Sequence, residues 1–176
     1  MRVRPARAED SGPIAEVMVA SWRSTYAGLL DQAFLNSMEV ADQAQRWLAI
    51  LTGQSHSTAV FVALDPAGAV VGFASGGRER ELDPTYRGEL HSVYLLDDHQ
   101  GQGLGAALVA AVATWLADHR MNSMLVWVLR DNLRARAFYE HLGGRYLRPV
   151  RRRLRELEVD EVSYGWLDTA PLREPR

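Results

Sequence analysis

Apolar residues recur along this chain at two spacings, one helical and one alternating, and the switches between them mark out the elements. Val3 to Ala8 has strand character. Asp10 or Ser11 can cap a helix with Pro13 in its permitted first turn, carrying Ile14, Val17, Met18 and Ser21-Trp22 on one face. Ala44, Trp47, Leu48 and Leu51 repeat at three and four residues, which predicts a second helix over Val40 to Leu51 that stops at Gly53. Ala59 to Leu64 and Ala69 to Ser75, joined by the turn Asp65-Pro66-Ala67-Gly68, form a predicted hairpin ended by Gly76-Gly77. Arg78 to Gly88 is polar and loop-like, and Glu89 to Leu96 is a further strand ended by Asp97-Asp98-His99.

From Gly103 the period returns to helical, with Leu104, Leu108, Val112, Trp115 and Leu116 in one stripe to about His119. Met124 to Leu129 is continuously apolar, as a central strand covered on both faces would be. Asn132 can cap a helix bearing Ala135, Phe138 and Leu142, closed by a left-handed residue at Gly143-Gly144. Arg145 to Val150 and Val159 to Leu167 are the remaining strands, with a charged connection over Arg151 to Glu158. The fold class is mixed α/β (α+β), with one domain over residues 1–168 and a C-terminal tail over 169–176.

Composition narrows this picture. At 176 residues and 47% hydrophobic content the chain supports one sizeable core. Twenty basic against 22 acidic side chains leave no broad positive field, so neither nucleic acid nor a membrane surface is an expected partner. The absence of cysteine removes disulfides, thiolate metal sites and a cysteine nucleophile, and His56, His119 and His141 lack metal-ligand spacing. No metal is therefore expected. No signal-like apolar run opens the chain and no stretch of about 18 uncharged apolar residues occurs, so a cytoplasmic protein is expected, as a monomer or a homodimer.

The chemistry concentrates between Glu89 and Tyr139. There a strand leads through Gln100-Gly101-Gln102-Gly103-Leu104-Gly105 into a long helix. Unpaired N–H groups and the aligned peptide dipoles make such a helix start a phosphate cradle, and glycine lets the main chain approach closely. A glycine turn that merely admits tight helix packing has the same composition. No Gly-x-x-x-x-Gly-Lys-Ser/Thr occurs, which removes the nucleotide-triphosphate loop. The run Gly101 to Ala106 does satisfy the dinucleotide pattern, with Asp131 after the next strand, but Asp97 to Gln100 lengthen the turn and the preceding segments do not alternate as βαβ.

The Gln100 to Gly105 run resembles the Gln/Arg-x-x-Gly-x-Gly/Ala signature of the GCN5-related N-acetyltransferases (GNAT). Leu90-His91-Ser92-Val93-Tyr94-Leu95 is similar to that family's fourth strand, and Asn132 to Gly143 to its second motif. The resemblance implies a mixed central sheet of about seven strands, splayed between strands 4 and 5 and flanked by about four helices. It also implies acetyl-CoA as donor and direct attack by a primary amine, of a small molecule or a peptide N-terminus, on the thioester. In its terms Val93, Tyr94 and Leu95 face the acetyl and pantetheine portions, and Gln100 to Ala106, including Leu104, hold the pyrophosphate. Asn132 and Ala135 support the pantetheine arm, and Tyr139 protonates the departing thiolate with a phenol near its ordinary pKa of about 10.

The proton-accepting group is less defined. Some relatives use a glutamate on the strand before Asn132, but Val126-Trp127-Val128 offers none. Glu89 is the first candidate and His91 the second, since strand alternation places both on the face of Val93 and Leu95; a water chain is the third. Trp22 and Tyr26 are candidate walls of the acceptor pocket, or plain core. Glu79, Glu81 and Asp83 can attract a cationic amine or be solvated, and Arg148, Arg151, Arg152, Arg153 and Arg155 can meet the donor's 3′-phosphate or an anionic partner, though a solvated hairpin is the first expectation. A non-catalytic acyl-CoA sensor and a dinucleotide enzyme remain as alternative readings.

Overall fold

The computed structural model describes residues 2–53, 57–154 and 157–174; His56 and Arg155 lie outside them. Seven strands form one sheet in the order β1-β2-β3-β4-β5-β7-β6. They are β1 (Arg2–Pro5), β2 (Thr58–Leu64), β3 (Val70–Arg78), β4 (Gly88–Leu95), β5 (Met124–Leu129), β6 (Arg145–Leu154) and β7 (Leu157–Trp166). All neighbours are antiparallel except β4 and β5. A parallel pair needs a crossover, which the helix α4 (Leu104–Asp118) supplies.

Each face of the sheet has its own apolar cluster. On one, α4 buries Leu104, Leu108, Val112 and Leu116 against Ala63, Ala74, Leu90, Val126 and Val128, and α5 (Leu133–His141) adds Tyr139. On the other, α1 (Ser11–Thr25) and α3 (Val40–Thr52) cover Val60, Val62 and Phe73 with Ile14, Val17 and Trp47. These four helices are the ones the sequence pattern predicts. Two short ones join them, α2 (Gln32–Asn36), capped by the Asp31 side chain accepting from the Phe34 N–H, and α6 (Ala170–Arg173).

Three expectations change. Leu48 is 44% exposed while Gln43 is buried, so the inward face of α3 is rotated from the one the spacing suggested. The charged stretch after Val150 continues the β6–β7 ladder, with Arg151 opposite Asp160, Arg152 opposite Val159 and Arg153 opposite Glu158. Cross-strand pairing of opposite charges makes a strand of what composition alone marks as a loop. Past residue 168, α6 buries Leu172 in the α4-side cluster, so this part of the expected tail is packed.

Candidate active site

The parallel β4–β5 ladder is short: Gly88 pairs with Met124, Glu89 with Leu125 and Leu90 with Val126. Beyond it the two strands separate into a fork, leaving that edge of β4 without a strand partner from His91 onward. The glycine loop closes the far end of β4. Gly101 and Gly103 adopt φ of 72° and 81°, a left-handed backbone that glycine takes without penalty and that turns the chain into α4. The first amides of α4, at Leu104, Gly105 and Ala106, have no acceptor within the helix, as at any helix start. Gly105 plays a different part: a Cβ there would stand 3.2 Å from the Phe138 ring, so its role is close packing of α4 on α5.

Both glutamines of the loop brace it. Gln100 Nε2 donates to the Leu95 carbonyl and to Asp97, each at 3.0 Å, and Gln102 Nε2 donates to the Asp98 carbonyl at 3.0 Å. Their side chains are thus engaged, and the backbone is what the loop presents to a phosphate. The Leu95 carbonyl also accepts from Ser21 Oγ at 3.3 Å, which ties α1 to the fork. On the β5 side, Asn132 is buried; its Oδ1 caps α5 by accepting from the Ala135 N–H at 3.1 Å, leaving its amide N–H groups for another partner.

A β-bulge alters the face arithmetic of β4. Ser75 lies opposite Ser92 but Gly76 opposite Leu90, so His91 is an extra residue. Leu90 therefore joins Val93 and Leu95 against the α4-side core, while Tyr94 packs on the α1 side. This corrects the expectation that Glu89 and His91 share a face with Val93 and Leu95: one inserted residue exchanges the faces on either side of it.

Three phenols come together near the fork, Tyr26 at the end of α1, Tyr94 on β4 and Tyr139 on α5. Tyr26 and Tyr94 share a hydrogen bond at 3.4 Å. Burial raises the pKa of Tyr139, and the nearby Tyr26 raises it further; Tyr94 is raised by burial and then by Tyr26 and Tyr139. The expectation of an ordinary pKa for Tyr139 is overturned, because desolvation penalises the phenolate. Trp22 completes an aromatic wall, edge-on to Tyr26 at 5.0 Å between centroids and near Phe34 and Tyr94.

Charged groups gather on this same side. Glu89 is 2% exposed and its carboxylate accepts from Arg80, from Nε at 3.0 Å, from Nη2, and from the backbone N–H at 3.3 Å. Burial and then the Arg80 charge lower the pKa of His91, whose Nε2 is buried and without a hydrogen-bond partner among the described residues. Glu161 on β7 lies opposite Leu129, beyond the point where the fork opens. Burial raises its pKa against the pull of Arg152, whose Nε is 2.9 Å away, and Glu81 and Glu89 raise it further. Arg152 lies over the Trp127 ring, 4.2 Å from its centroid, and also pairs with Glu81. Sequence reasoning missed Glu161 and Arg80. The alternation of Val159, Glu161 and Ser163 marks one face of β7, but only the β5–β7 register brings that face to the fork.

The profile of the Acetyltransferase (GNAT) family matches residues 19–144. The chain belongs to this family. Acetyl-CoA is its acetyl donor, and the loop and fork fit that role through glycines in left-handed backbone, free helix-start amides and an unpaired edge on β4. The chain is 37% identical to the N-acetyltransferase YuaI of Bacillus subtilis over 97% of its own length and 95% of that protein's. It is 30% identical to the L-amino acid N-acyltransferase MnaT of Escherichia coli, over 81% of this chain and 78% of that protein. In fold it is similar to the PaiA N-acetyltransferase of Thermoplasma acidophilum solved with coenzyme A, with a TM-score of 0.73 at 18% identity, over 94% of this chain and 98% of that one.

Several other candidates belong to the GNAT frame rather than to its chemistry. Glu79 is buried and accepts from the Glu81 and Asp83 N–H groups, so it shapes its loop. Asp83 accepts from Thr85 and Tyr86 and pairs with Arg148 at 3.0 Å. Of the hairpin arginines, Arg148 and Arg152 lie over Trp127, and Arg151 pairs with Asp160 at 3.0 Å. His119 stacks on Trp115 at the end of α4. Among the described residues no group of three metal-ligating side chains occurs, and no helix is long and apolar enough to cross a membrane.

Proposed function

We propose that this N-acetyltransferase acetylates a small primary amine that enters from the α1 side of the fork. The carrying observation is the convergence of Tyr26, Tyr94 and Tyr139 where β4 and β5 part. Acetyl-CoA supplies an activated acyl group, held by the Gly101 to Ala106 backbone with Val93, Tyr94 and Leu95 along the thioester end. The Asn132 amide and Ala135 support its arm. Tyr139 serves as the general acid. Its raised pKa keeps it protonated across the working range, so it always has a proton to give to the leaving sulfur. Trp22 and Tyr26 wall the acceptor side. Glu89 acts by holding Arg80 at the floor of the fork, since Arg80 already occupies its carboxylate.

A small acceptor is favoured over a peptide because Trp22, Tyr26 and Phe34 form a continuous aromatic wall, and the Escherichia coli relative is named for L-amino acids. The dinucleotide reading of the loop falls with the single parallel strand pair, which is no alternating βαβ sheet. The test is thiol release from acetyl-CoA against amino acids, alkylamines, polyamines and peptides with free N-termini. Turnover with at least one small amine is expected. Turnover confined to peptides overturns the small-acceptor reading, and tight donor binding with no turnover on any amine supports the sensor instead.

A further inference from the structure

We infer that Glu161 is the group that anchors the acceptor ammonium and takes its proton. This rests on the acceptor reaching the fork from the α1 side, as proposed above. Where β5 borders the fork it carries Val126, Trp127 and Val128 and offers no carboxylate. The neighbouring strand β7 supplies it instead: Glu161 stands opposite Leu129, on the open side of the fork, whereas Glu89 stands opposite Leu125 within the paired stretch.

Three observations support the assignment. The charged groups facing Glu161 are Arg152 from β6, Arg80 and Glu81 from the loop after β3, and Glu89 from β4. With Glu161 itself, and with the Arg148–Asp83 pair beside the same Trp127 ring, that is four carboxylates against three guanidiniums among the described residues. Second, Arg80 is committed to Glu89 and Arg152 to Glu81 by hydrogen bonds, while among the described residues Glu161 has only the 2.9 Å ion pair to Arg152 Nε, an atom with no hydrogen-bond partner among them. Its side chain keeps 21% exposure, so a ligand can reach it. Third, the Tyr26 phenol lies within electrostatic reach of Glu161 and of Tyr139. Tyr26 is thus near both the proposed proton acceptor and the proposed proton donor.

The protons balance. The acceptor ammonium gives one proton to a Glu161 carboxylate oxygen, and the freed lone pair forms the N–C bond to the acetyl carbonyl. The C–S bond breaks with its electrons on sulfur, which takes the Tyr139 proton. A second proton from the acylated nitrogen restores Tyr139, Glu161 returns its proton to water, and the net release is one proton. The pH dependence follows: Glu161 must be ionised, so activity falls as pH drops through its raised pKa.

The test is Glu161→Gln in the full chain, with the best small amine found for the wild type. Acceptor kcat/KM should fall about 100-fold with loss of the acidic limb of its pH profile. Acetyl-CoA affinity and thermal midpoint should hold, and Glu161→Asp should recover part of both the rate and the limb. The defect should shrink for an amine already neutral at the assay pH. A Glu161→Gln rate within about threefold of wild type overturns the inference. So does an equal loss at every pH and for every amine, because a structural role would give that. If the wild type itself acetylates no small amine, the acceptor reading has failed instead.

Discussion

The two sides of the fork are built in different ways. The proposed donor side comes from two contiguous stretches, Val93 to Ala106 and Asn132 to Tyr139, and would work mainly through backbone: left-handed glycines, helix-start amides and an unpaired strand edge. The proposed acceptor side is gathered from five separate places, Trp22 on α1 with Tyr26 at its end, Arg80 and Glu81 after β3, Glu89 and His91 on β4, Arg152 on β6 and Glu161 on β7, and would work through side chains. Backbone chemistry needs few residue identities, whereas side-chain chemistry can be changed one residue at a time. A fixed donor with an adjustable acceptor is the expected consequence.

Tyr139→Phe should sharpen that division most. It removes the proton for the leaving sulfur but keeps the ring that packs on Tyr164 and Trp166, so kcat should fall about 100-fold while acetyl-CoA affinity and thermal midpoint hold. An unchanged kcat across pH, measured by thiol release, would remove Tyr139 from the mechanism. Gly103→Val should act on the donor side alone. A β-branched residue at φ 81° costs about 1–2 kcal/mol, which corresponds to roughly tenfold weaker acetyl-CoA binding by calorimetry if the loop relaxes to avoid it.

Asp10→Asn should leave both sides of the fork alone and cost only stability. Arg4 contacts Asp10 at 2.7 and 2.9 Å and the Arg7 N–H adds a third bond, which together hold this carboxyl below its ordinary range against the cost of burial. Its contribution is present above the unfolded pKa of about 3.9 and is lost as pH falls through the lower folded value. Chemical denaturation of the variant near neutral pH should show a loss of about 2 kcal/mol, and the difference from wild type should narrow in acid.

The same contrast explains what could be read from the chain before its structure. The Asn132 cap and the long helices are local patterns that spacing was enough to place, whereas the donor role of the glycine loop and the role of Tyr139 came from the resemblance. The sheet order was not readable from the sequence, and the fork between strands 4 and 5 was inferred only from the resemblance carried by two motifs. Glu161 was invisible because its neighbour Leu129 lies 32 residues away in sequence (161 − 129), and only strand register joins them. The faces of β4 were misread because one bulge at His91 breaks a period of two, and no residue type in that segment announces it. The arginines after Val150 looked like a loop because their partners, Asp160 and Glu158, lie on the returning strand.

Titration of acetyl-CoA into Glu161→Gln and Gly103→Val, followed by acceptor kinetics on the same two proteins, tests the division directly. The account predicts crossed results: wild-type donor affinity with about 100-fold lower acceptor kcat/KM for Glu161→Gln, and roughly tenfold weaker donor binding with a near-normal acceptor KM at saturating donor for Gly103→Val. Donor affinity and acceptor kinetics falling together in both proteins would contradict it.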